Sequence, residues 1–277
     1  MAENKWLGGT NDANTIANWS DGLPTADDDL TFLAEYASAT ALSVNPAAHT
    51  AVDVNSIYVG PGYTLNIAGT GAHFDISADK VHYQGSTGKL WLKDGVGTTD
   101  CVVVDSTDQN PLAHDCVSLA GDTFTRLLVL RGLCTIESGS TVTNILVGSR
   151  NPGVTESKLV INSGADAPTT AQQWAGIVSS NANPTTLTMI GGTWIQEQGG
   201  AVITNVVMFG GRLILNHGGA YASVLHYGGI IDCTQKGGLK TFTTYQRSPG
   251  AILLGEGNAG VVSLPAVTAP PNLVYIV

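Results

Sequence analysis

Short runs of β-branched and aliphatic residues recur along the chain, separated by Gly, Asn, Ser and Asp. Ser56-Ile57-Tyr58-Val59, Leu127-Leu128-Val129-Leu130 and Leu159-Val160-Ile161-Asn162 are representative. Runs of this length and make-up between turn residues predict β-strands. No sustained i, i+3, i+4, i+7 apolar pattern with capping residues occurs, so helices are not expected. The 34 glycines supply turns that require positive φ.

These runs repeat. Leu187-Thr188-Met189-Ile190-Gly191-Gly192-Thr193-Trp194-Ile195 is followed by Val206-Val207-Met208-Phe209-Gly210-Gly211-Arg212-Leu213-Ile214, then by Val224-Leu225-His226-Tyr227-Gly228-Gly229-Ile230-Ile231-Asp232. The Gly pairs begin at 191, 210 and 228, in steps of 19 and 18. A second set begins at 199, 218 and 237, in steps of 19 and 19. Each period therefore holds a strand, a Gly-Gly corner, a second strand and another Gly corner.

A chain that coils in this way lays each strand on its equivalent in the preceding turn, about 4.8 Å away. Side chains of equal phase then stack, with Ile190, Phe209 and Tyr227 in one column and Trp194, Leu213 and Ile231 in another. No turn can bury its apolar face alone, so neighbouring turns stabilise one another. Weaker echoes at Leu130-Arg131-Gly132-Leu133 with Gly139, and at Val59-Gly60 with Gly69, carry the pattern back to about residue 53. The expected fold is all-β, a parallel β-helix or solenoid. An antiparallel β-sandwich or jelly roll would explain strands and turns, but not Gly pairs returning in phase.

Residues 1–52 lack the Gly-pair period and predict a turn-rich N-terminal cap or attachment segment. Residues 53–262 form the expected solenoid, and 263–277 a Pro-containing tail. Pro265, Pro270 and Pro271 interrupt a ladder. The chain then reads Leu273-Val274-Tyr275-Ile276-Val277, almost without polar residues.

A strand with one solvated face alternates apolar and polar residues. The repeat strands do not: Val206, Val207, Met208 and Phe209 are all apolar, as are Leu213, Ile214 and Leu215. One set faces the core, so the other faces outward, and a contiguous apolar outer surface marks an interface. Val207, Phe209 and Ile214 are the expected oligomer-interface residues on the strands. Leu273, Tyr275 and Val277 are those of the tail, which suits strand addition to a neighbour's edge. Closed cyclic symmetry would bury both sets without open filaments.

Charge narrows the partners. Lys plus Arg is 12 and Asp plus Glu is 22, a net charge of −10. Such a chain repels phosphate backbones, and its few cations form no stripe, so nucleic acid is not an expected partner. No apolar run reaches membrane-spanning length, and no secretory signal opens the sequence. The expectation is a chain made in a cytoplasm with no membrane partner.

Candidate chemistry changes the picture little. Cys101, Cys116, Cys134 and Cys233 form no CxxC pair and read as reduced thiols rather than zinc ligands. No dinucleotide, P-loop or nucleophile-elbow motif is present, so no cofactor is assigned. Cleaving a glycosidic bond takes two carboxylates about 5–10 Å apart. Glu197 and Asp232 occupy different phases of the repeat, and the expected same-phase neighbours of Glu197 are Asn216 and Thr234. The chain therefore reads as no enzyme, without catalytic residues. His114, Asp115 and Cys116 are consecutive, and neighbours on a strand point to opposite faces. His217 and His226 differ in phase. Asp27, Asp28 and Asp29, with Asp21 and Asn18, offer oxygens to Ca²⁺, but their spacing does not match an EF-hand loop. No metal site is assigned.

The opening Trp6-Leu7-Gly8-Gly9, then Ala17-Asn18-Trp19-Ser20-Asp21-Gly22-Leu23-Pro24 with Asp27-Asp28-Asp29, resembles that of β-helical surface proteins. These include bacteriophage virion proteins and autotransporter-type passengers, built on right-handed, pectin-lyase-like parallel β-helices. The lack of a leader favours the phage version. The resemblance implies a structural protein of the virion surface, such as a capsid decoration, head fibre or tail-associated component. It further implies a homotrimer, with other virion proteins such as a major capsid protein as partners and a cell-surface glycan as a further one. The alternatives are a tailspike-like glycosidase or lyase, and an adhesin on the bacterial cell surface.

Overall fold

The computed structural model describes residues 3–265, apart from 9, 11, 36–51, 70, 95–96, 122, 149–155, 198–201 and 236. The chain coils into a parallel β-solenoid of about 9 turns, without an α-helix among the described residues. Its strand ladders are parallel, which excludes the sandwich and the jelly roll.

Two sheets face each other across the core. In the clearest turns, Thr186–Met189, Asn205–Met208 and Gly219–His226 stack in the first sheet. Thr193–Gln196, Arg212–Leu215 and Ile230–Asp232 stack in the second. Every second residue points inward. Leu187, Val206 and Val224 form one buried column of the first sheet. Trp194, Leu213 and Ile231 form the matching column of the second, as their phase predicts.

Three residues join first-sheet strand to second-sheet strand in each of four successive turns: 174–176, 190–192, 209–211 and 227–229. The corner is tight because successive corners lie directly on one another. A Cβ built on Gly210 would sit 2.6 Å from the Ile190 carbonyl oxygen. Gly211 adds a φ of 84°, which L side chains rarely adopt.

The opposite edge varies in length. Thr170, Thr186, Asn205 and Ser223 share one column, so successive turns take 16, 19 and 18 residues. The corner stays at three residues over these turns, so the variation lies on the return side, where the strand Gly219–His226 starts four residues before the column.

The ladder also reaches further back than the Gly period. Glu3–Lys5 pairs with Asp29–Phe32, which pairs with Val52–Val59, all in parallel. The first 52 residues thus supply rungs of the first sheet. An aromatic plug closes this end: Trp6 meets Trp19 edge-on at 5.1 Å, Trp19 meets Phe32 at 5.9 Å, and Phe32 meets Phe74 at 6.1 Å. Edge-to-face pairs of this kind add to the burial of large rings.

Polar side chains inside the coil link its turns. Gln173 donates through Nε2 to the carbonyls of Gly176 (3.0 Å) and Thr193 (2.9 Å), tying one turn to the next. The Tyr221 hydroxyl donates to Gln196 at 2.7 Å.

Candidate functional site

The feature that stands out is an apolar strip along the tight-corner edge. Ile190, Phe209 and Tyr227 stack as their phase predicts, and they do so on the outside, 49%, 55% and 47% exposed. The Phe209 and Tyr227 rings lie nearly parallel, with centroids 5.2 Å apart. The strip has a fourth member, Trp174, 55% exposed one turn before Ile190. The Trp174 N–H donates to Val147 O and the Ser248 N–H to His226 O, so Gly148 and Ser248 border the strip. Its four rungs run along the coil axis.

The corner geometry produces this exposure. The residue before each Gly pair leaves the first sheet with its side chain turned away from the core. Burial of the next side chain is impossible, because the Gly pair provides none. Chain coiling then repeats the exposed position every turn.

The expected interface residues fall in different places. Val207 lies half-buried on the outer surface of the first sheet, beside Leu225 and close to Phe209 at the corner. Ile214 is also half-buried, but on the outer surface of the second sheet, beside Ile195. The core separates Val207 from Ile214, so they do not share a patch. Leu273, Tyr275 and Val277 lie outside the described residues.

No protein-family model, curated protein or solved structure matches the chain.

A second feature is polar. An open depression is lined by Ser179, Asn181, Glu197 and Asn216 at the far end of the second sheet. The Glu197 carboxylate accepts from the Ser179 hydroxyl (2.9 Å) and from Asn216 Nδ2 (3.3 Å). Thr234, expected in this column, instead turns its N–H and hydroxyl back to Asp232 (3.0 and 2.6 Å). Asp232 also accepts from Arg212 at 2.7 Å. Although burial opposes its charge, hydrogen bonds from Thr234 and Arg212 leave its carboxyl below the usual range. The two acids thus have separate partners, and neither faces the other across a cleft lined by both.

The remaining candidates separate likewise. Asp115 pairs with Lys89 and accepts from Thr135 at 3.2 Å, while Cys116 is buried and His114 exposed. His226 is buried, with Nδ1 3.1 Å from the Tyr245 hydroxyl and Nε2 3.2 Å from Gly229 O. Burial pushes its pKa down. In the opening segment, Asp28 accepts from the Thr25 N–H (2.9 Å) and hydroxyl (3.1 Å), and Asp29 from Asn55 and Ser56 (2.5 and 2.6 Å). These carboxylates cap turns and link rungs. Among the described residues, no group of three His, Cys, Asp or Glu is placed to hold a metal ion.

Trp174 is the functional candidate that the sequence pattern missed. Its turn carries Ala175-Gly176 where the later ones carry Gly-Gly, and it is 16 residues long. An aromatic residue two positions before a corner glycine is the signal that would have found it.

Proposed function

We propose that the protein is a non-enzymatic structural component of a bacteriophage particle surface, assembled as a homotrimer through the corner strip. The observation that carries the reading is the strip of Trp174, Ile190, Phe209 and Tyr227, four large apolar side chains in a row on the outside of a chain with few charges to mask them. Contiguous exposed apolar surface marks association. A narrow strip parallel to the coil axis is a shape that three copies can bring together about a common axis, leaving their acidic residues outward. Val207 and Leu225 widen the strip on one side. Ile214, on the other face, is free for a second contact such as a capsid protein. The phage setting rests on the resemblance of residues 6–29 to the openings of virion β-helices.

Sedimentation velocity at micromolar concentration tests the assembly. The expected species is a trimer, converted to monomer by the double substitution Phe209→Ser and Tyr227→Ser with an unchanged far-ultraviolet spectrum. A monodisperse monomer for the unaltered chain overturns the reading. Antibody-labelled electron microscopy of phage particles tests the setting, and particles without label overturn it.

The depression at Ser179, Asn181, Glu197 and Asn216 supports a second reading, a glycan held without cleavage. Hydroxyl, amide and carboxylate groups in a row match the donors and acceptors of a sugar. Glycan-array binding lost on Asn181→Ala would support it, and an array without binding would remove it.

A further inference from the structure

The corner strip is too narrow to hold copies together by itself. Trp174, Ile190, Phe209 and Tyr227 are each about half exposed. Large side chains of this kind bury about 150–250 Å² when fully covered, so the strip offers roughly 400 Å². A stable contact takes roughly 800 Å² from each partner. The rest has to come from the surfaces beside the strip.

Each strip residue has an outward neighbour on either flank. Two positions before it stands the last outward residue of the first sheet, which is Thr188, Val207 and Leu225 in the turns of Ile190, Phe209 and Tyr227. Three positions after it stands the first residue of the second-sheet strand, which is Thr193, Arg212 and Ile230 in the same turns. Arg212 is exposed and the other five are half-buried.

Cyclic symmetry decides what covers each flank. Rotation about an axis parallel to the coil returns every residue at its own height, and a head-to-tail contact sets one flank of a copy against the opposite flank of the next. The first-sheet flank of a turn therefore meets the second-sheet flank of the same turn. The pairs that result match in character. Leu225 meets Ile230, both apolar, and Thr188 meets Thr193, both hydroxyls. Val207 meets the aliphatic stem of Arg212, whose guanidinium is drawn aside to Asp232 at 2.7 Å. In the Trp174 turn the pair is Gln172 with Ile177, and the match is lost.

We propose that, in the homotrimer on which this inference rests, Val207 and Leu225 of one copy pack against Arg212 and Ile230 of the next. The strip lies on the axis and this flank contact surrounds it, over the turns from Ile190 to Tyr227. The three copies then run parallel and in register. An antiparallel pair reverses the heights, so Leu225 no longer meets Ile230.

Two measurements test the proposal on the full chain. Leu225→Cys with Ile230→Cys, in a Cys101→Ser background, is oxidised mildly after assembly. Within one copy the two positions lie on opposite outer surfaces, so a bridge between them has to join copies. Facing residues lie within bridging distance, and most chains should run as a covalent trimer on a non-reducing gel. Leu225→Cys with Ile214→Cys, which lies beyond the flank, should bridge several-fold less. Dimers formed by Leu225→Cys alone would mean that like flanks meet, and a ladder beyond the trimer would mean an open chain of copies. Either overturns the proposal. A trimer in sedimentation velocity without bridging also overturns it and leaves the homotrimer standing, whereas a monomer removes both. In the second measurement, Leu225→Glu and Ile230→Lys should each raise the concentration of half-dissociation by about tenfold, and the two together should largely restore it. Losses that simply add would overturn the contact.

Discussion

Substituting alanine at Gly211 separates the two demands that the corner makes on its glycine. The first is conformational. With φ at 84°, alanine takes on a left-handed strain of about 1–2 kcal/mol. The second is steric. An added Cβ would lie 2.6 Å from the Gly192 carbonyl oxygen in the turn before, and 2.8 Å from the Gly191 carbonyl carbon. That oxygen accepts the ladder bond from the Arg212 N–H at 2.8 Å. Moving the rungs apart by the ~0.6 Å or more that relieves the contact strains this bond, whose loss costs about 1 kcal/mol, with dispersion losses added. Gly211→Ala is therefore expected to destabilise by about 2–4 kcal/mol. Gly139 is the control: its φ is 77° and nothing lies within 4 Å of an added Cβ. Gly139→Ala should cost only the conformational part, about 1–2 kcal/mol. The assay is urea unfolding followed by circular dichroism, with free energies compared where the slopes agree. Equal losses at the two sites, within about 0.5 kcal/mol, would refute the claim that inter-turn contact sets the corner sequence.

Other outcomes follow from the interior. Trp194 is fully buried among neighbouring turns, so Trp194→Ala should lower stability by about 3–5 kcal/mol in the same assay. His226 has its pKa depressed by burial, so the unfolded chain binds its proton more readily than the folded one. Its contribution is present above the unfolded pKa and is lost as pH falls towards the lowered folded value. Stability of His226→Gln measured from pH 7.5 to 5 should accordingly fall less than that of the unaltered protein; an equal fall would contradict this. Cys116, Cys134 and Cys233 are buried and Cys101 is half-buried, its thiol pushed up by burial. A thiol-reactive dye at pH 7.5 should label Cys101 slowly, and the other three only after unfolding. Rapid labelling of several thiols in the folded protein would count against this coil.

The coil was legible where two glycines mark its tight edge. Between Leu187 and Asp232 the Gly pairs sit in phase, because both steric and φ demands recur there, and the Trp194 and Phe209 columns follow from that phase. Which column faces out was not stated by phase alone. It follows from the corner, where the residue before the pair has already left the sheet. The pattern fades wherever another residue meets one of the demands. Ala175 replaces the first glycine in the Trp174 turn. The rungs at Glu3–Lys5 and Asp29–Phe32 carry no pair at the corner phase, one residue after the strand, because turns tied by Asn18 and Asp28 shape that segment instead. Val207 and Ile214 were both recognisable as outward apolar residues. That they occupy opposite outer surfaces depends on the two-sheet cross-section, which spacing does not reveal.

The unequal return edge has a consequence for how this molecule can change. The tight corner takes three residues in each of four successive turns, while the other edge takes 5 residues between Ser180 and Thr186, 8 between Gln196 and Asn205, and 3 between Leu215 and Gly219. Closing a longer loop costs little, growing only with the logarithm of its length. New peptide can therefore be spliced into that edge while every rung keeps its partner. Displayed segments, acquired by recombination or by design, belong on that edge, across the coil from the corner that carries the apolar strip.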